Sequence, residues 1–82
     1  MTDVKLKEMT SDLADIYIKN EELFLDTYDF LAKFMELSLR EWYVVGKLID
    51  IYINIKLGSI DRSEGIKQQE EVFCYANSLR QE

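Results

Sequence analysis

The sequence predicts an all-α protein, and three observations carry that expectation. Polar residues recur every three or four positions through Glu8, Asp12, Asp15, Lys19, Glu22, Asp26, Asp29, Lys33, Glu36 and Arg40, then resume at Lys47, Asp50 and Asn54. This is the pattern of helices with one wet face and one wide apolar face. Proline is absent, while charged residues make 32% and apolar residues 48% of the chain, a composition that favours folded helix over disorder or sheet. Strand-like alternation is confined to Val4-Lys5-Leu6-Lys7.

The first helix is expected over about residues 3–19. Asn20 ends it, because asparagine favours caps and tolerates non-helical geometry. The second is expected over 21–57, with a kink near 38. Ser38 and Glu41 have the spacing of a capping box, with Leu37 and Trp42 placed as a hydrophobic staple. Nothing around them supplies a loop, so a kink is the most that is predicted there. Gly58 after Lys56 reads as a left-handed cap that stops this helix. The third is expected over 61–80, opened by Asp61 and Glu64 in capping-box spacing. Gly65 in its first turn costs about 1 kcal/mol relative to alanine.

The 82 residues form a single domain, 1–82. A chain this short is marginal alone and needs a disulfide, a metal or a partner copy. Cys74 is the only cysteine and there is no histidine, which leaves oligomerisation or unusually good helix packing. The two outer helices together match the middle one in length, so each is expected to fold back antiparallel on one half of it. A homodimer then completes a helical bundle. Leu31, Phe34, Met35, Trp42, Val45, Ile49 and Tyr52 are the expected self-association residues. The alternative is a monomeric bundle of four similar helices with a true turn near Ser38.

Catalytic chemistry is not expected. The serines and Cys74 have no histidine to activate them, and Gly46, Gly58 and Gly65 are too scattered for a phosphate loop. One cysteine and no histidine argue against zinc. Glu21, Glu22, Asp26 and Asp29 read as a solvated face near a helix start, where acids suit the dipole, rather than as a cation site. No cofactor is expected. The net charge of −6 repels nucleic acid and anionic membranes, and the apolar stretch from Trp42 to Leu57 is broken by Lys47, Asp50 and Lys56, unlike a membrane span. Met1-Thr2-Asp3 lacks the basic start and apolar run of a signal peptide, and the expected compartment is the cytoplasm.

These exclusions leave protein binding. The expected function is that of a small acidic interaction module, a regulator, adaptor or inhibitor. Asp26, Asp29, Glu36, Arg40 and Tyr43 are the partner-binding candidates because one continuous helix would set them on one exposed face. Tyr43 fills the gap in the polar stripe, and tyrosine is enriched at interfaces; if the helix bends near Ser38, Tyr43 belongs to the core instead. The partner could be basic or DNA-binding. One alternative is a DNA-mimic inhibitor from a phage or mobile element, using Asp12, Asp15, Glu22, Asp26, Asp29 and Glu36 as a row spaced about half as densely as phosphates on a DNA strand. The other is a structural subunit that binds only itself.

Overall fold

The computed structural model describes residues 1–79, and all regular secondary structure among them is α-helix. It contains four helices among those residues: α1 (Asp3–Lys19), α2 (Glu21–Phe34), α3 (Leu39–Lys56) and α4 (Arg62–Leu79). The predicted end of the last helix at residue 80 lies outside the described residues.

The principal correction concerns the middle of the chain. The expected helix over 21–57 is two helices separated by Met35–Ser38. Met35 has φ −97° and ψ 130°, and Ser38 has φ −69° and ψ 165°, both extended. Both halves of the capping box form: Glu41 N donates to Ser38 Oγ at 3.1 Å and Ser38 N donates to Glu41 Oε1 at 2.9 Å. A serine capping in this way must leave helical geometry, so the motif starts a new helix and does not merely bend an old one. The break also turns Met35 and Leu37 into half-buried positions.

Asn20 makes the first corner alone. Its backbone is extended at φ −160° and ψ 103°. Its N–H closes α1 on Ile16 O at 2.8 Å, while its Oδ1 accepts from Leu23 N at 3.1 Å to open α2. The α3–α4 turn is a Schellman motif. Gly58 takes φ +77°, Gly58 N donates to Ile55 O at 3.1 Å, and Ser59 N donates to Asn54 O at 2.8 Å. Asp61 then caps α4 by accepting from Glu64 N at 2.8 Å.

Four helices change the topology as well as the count. α2 carries the chain back, so α1 and α3 run parallel rather than antiparallel. The polar ties show this: Arg40 at the start of α3 reaches Asp3 at the start of α1, and Lys56 at the end of α3 reaches Asp15 near the end of α1 at 2.8 Å. Arg40 Nη2 also donates to Asn77 Oδ1 at 2.7 Å, which sets α4 antiparallel to α3.

α3 is the central element, packed on both α1 and α4. Its Val44, Val45, Leu48, Ile49 and Ile51 are buried with Leu6, Leu13 and Ala14 of α1 and Val72 and Ala76 of α4. Thr10 is the one buried polar side chain among the described residues. Its hydroxyl is satisfied by donating to Leu6 O at 2.7 Å. The fold is a slab of 37 × 33 × 15 Å.

The α3 cap supplies a test that pH can read. The Glu41 carboxylate accepts from Ser38 N and lies 2.9 Å from the Met1 amino group. These contacts, the Ser38 backbone first, hold its pKa below the ordinary value of 4.5. A carboxylate with a lowered folded-state pKa stabilises fully above its unfolded value and loses that contribution as pH falls through the folded one. Glu41→Gln should therefore melt below wild type by a constant margin between about pH 5 and pH 7, and the margin should shrink below pH 4.5. Ser38→Ala should cost about 1 kcal/mol. Thermal melts followed by circular dichroism at several pH values check both, and a margin independent of pH would refute the assignment.

Candidate protein-docking face

The break at Met35–Ser38 scatters the expected partner-binding residues. Asp26 and Asp29 are exposed on α2, and Glu36 is exposed in the connecting loop. Arg40 is not offered to a partner: its side chain is 12% exposed and tied to Asp3 and Asn77. Tyr43 is half-buried, its ring 5.0 Å from that of Tyr75, with Lys47 Nζ 5.9 Å from its centroid. It lines an open groove between α3 and α4 with Asp50, Gln68 and Glu71. The shared face inferred from one continuous helix does not form.

The expected self-association residues separate in the same way. Val45 and Ile49 are filled by contacts within one chain and lie in its core, so they are not free to meet a second copy. Leu31, Met35, Trp42 and Tyr52 are half-buried. Trp42 packs edge-on to Tyr28 at 5.9 Å. Tyr52 donates to Gln69 Oε1 at 3.1 Å, and burial raises its phenol pKa above the usual value of 10.0. Phe34 alone of the seven is exposed, at 69%.

The acidic row is also interrupted. The corners at Asn20 and Met35–Ser38 put Asp12 and Asp15 on one helix, Glu22, Asp26 and Asp29 on another, and Glu36 in a loop. Asp15 is paired with Lys56. Among the described residues no three acidic or cysteine side chains gather as a metal site would, and no helix is long and apolar enough to cross a membrane.

What the molecule does present is the outer face of α2. This helix has no buried residue. Its inner side is held by a run of aromatic contacts, Tyr17 on Phe24 at 5.3 Å, Phe24 on Tyr28 at 5.9 Å, and Tyr28 on Trp42. Its outer side carries Leu23 and Phe30, which are 52% and 59% exposed, together with Phe34. The two phenylalanine rings lie 4.7 Å apart, tilted 40° to each other. With Thr27, these positions follow a four-three-four spacing, one stripe along a helix. The Thr27 hydroxyl donates to Leu23 O at 2.7 Å, so its polar atom is satisfied within the helix. Leu23 and Phe30 are not among the expected self-association residues, because large apolar residues on a helix read as core. The spacing was there to find, but Thr27 interrupts it.

No family model, curated protein or solved structure matches the chain.

Proposed function

We propose that this protein is a protein–protein interaction module, a regulator, adaptor or inhibitor, that binds through the outer face of α2. One observation carries the reading: a helix of 14 residues buries none of them while Leu23, Phe30 and Phe34 stand in solvent. Large apolar side chains grouped on one face of a small domain mark docking surfaces, and aromatic residues dominate interface energetics. The aromatic contacts beneath keep the helix in place, so the outer face is preformed. No reaction is proposed.

The test separates folding from binding. Phe30→Glu and Phe34→Glu alter solvent-facing positions and should shift stability by no more than about 0.5 kcal/mol. The double variant should keep the circular dichroism spectrum and melting temperature of the wild type. It should lose every protein contact the wild type makes, whether with itself or with a foreign chain, as read by cross-linking. Contacts that survive this change but vanish on charge reversal of Asp12 and Asp15 would move the function to the acidic side chains and favour the DNA-mimic reading.

A further inference from the structure

We infer that the occupant of this face is a second copy of the same chain, with the two α2 helices packed antiparallel. The inference rests on the reading of α2 as a docking face. It adds the partner and the register.

The register follows from the spacing. Leu23, Thr27, Phe30 and Phe34 are successive seam positions of a heptad pattern. Reversing one helix against another sets Leu23 opposite Phe34 of the second copy and Thr27 opposite Phe30. Every seam residue is then matched by another seam residue, a leucine or threonine against a phenylalanine in each layer. The stripe is self-complementary, as a two-fold interface requires.

The flanking charges select the direction. Asp26 and Lys33 lie on the flank of the seam that faces away from the body of the chain, each one position before a seam residue. Phe24 and Leu31 occupy the other flank and pack on the chain's own core. In an antiparallel pair each flank meets its own counterpart, running the other way. Asp26 of one copy then faces Lys33 of the other, twice by symmetry, and opposite charges across such a seam set orientation. In a parallel pair Asp26 and Lys33 would instead face the apolar flank and find no partner.

The area sets the strength. An aromatic side chain carries about 150–250 Å², so Phe30 and Phe34, at 59% and 69% exposure, offer about 250 Å² between them. With Leu23 the seam amounts to about 350 Å² per copy, or about 700 Å² for the pair, below the ~1,000 Å² of a stable interface. An interface of this size is weak and reversible. The dimer is governed by the concentration of the chain.

Sedimentation velocity of the full chain from low to several hundred micromolar tests the proposal. The wild type should pass reversibly from monomer to dimer, and Phe30→Glu should stay monomeric with an unchanged circular dichroism spectrum. Asp26→Lys and Lys33→Asp, each alone, should weaken the dimer about tenfold by placing like charges opposite each other. Mixing these two single variants should restore association as a heterodimer, because each supplies the charge the other lacks. A monomeric wild type at every concentration overturns self-pairing and leaves α2 as a docking face to be judged by the cross-linking of the Phe30→Glu/Phe34→Glu variant. A dimer that mixing does not restore overturns the antiparallel register. A dimer indifferent to Phe30→Glu overturns both this inference and the docking reading beneath it.

Discussion

A Leu48→Ala variant should lose about 3 kcal/mol of stability, within the range for emptying a well-packed leucine site. Leu48 is 0% exposed and lies in α3, the one helix that packs on both α1 and α4. It belongs to the core cluster that joins α1, α3 and α4, so a cavity there weakens the packing shared by all three. For a domain of this size ~1 kcal/mol corresponds to 4–8 °C in melting temperature, so the variant should melt about 12–24 °C below wild type. A folded chain of about this length holds ~4–12 kcal/mol in total, which leaves the variant near the edge of folding. Leu57→Ala is the control, since Leu57 is exposed at the end of α3. If the two variants melt within a few degrees of each other, the core has been misplaced.

Gly65→Val should be nearly as damaging, for the opposite reason. Gly65 is buried in the first turns of α4. A Cβ built there would press into the Ile55 side chain, at 2.7 Å from Cγ1 and closer still to Cδ1. Overpacking of this kind costs about 1–3 kcal/mol, and valine adds two methyl groups beyond the Cβ. Gly65→Ala pits the same clash against a helix-propensity gain of about 1 kcal/mol. A double-mutant cycle separates the two terms. Gly65→Ala should be destabilising in the wild type, yet stabilising by about 1 kcal/mol once Ile55→Ala has removed the obstacle. An unchanged sign in the two backgrounds would mean that α3 and α4 do not meet at this glycine. From the sequence alone Gly65 was only a small propensity cost; its purpose is to let two helices approach closely.

The helices themselves were legible in the sequence, because their signals are local. Asn20, Gly58 and Asp61 each do what their chemistry suggests within a few residues of themselves. The break at Met35–Ser38 was half legible. The Ser38 and Glu41 pair was visible as a capping box, but Met35 and Leu37 beside it are apolar and there is no glycine or proline. A cap is worth about 1 kcal/mol, too little to decide between a kink and a loop. The decision is tertiary: ending α2 there lets α3 reach α1 and α4 and half-buries Met35 and Leu37. Arg40 and Tyr43 show how far such an error travels. Their phase relative to Asp26 and Asp29 had meaning only on a continuous helix; with the four-residue interruption both meet α4, Arg40 in a clamp with Asp3 and Asn77 and Tyr43 against Tyr75. The exposure of Leu23 and Phe30 was illegible for a different reason. No local rule tells a buried phenylalanine from one left uncovered until the number of neighbours able to cover it is known.

The slab shape bears on how this chain responds to urea. At 15 Å thick the fold is little deeper than two packed helix axes, so no core side chain is far from water even in the native state. Unfolding then uncovers less new surface than it would for a rounder domain of the same length, and the slope of free energy against denaturant follows that uncovered surface. The transition should be gradual, and small changes in stability will displace its midpoint by large amounts.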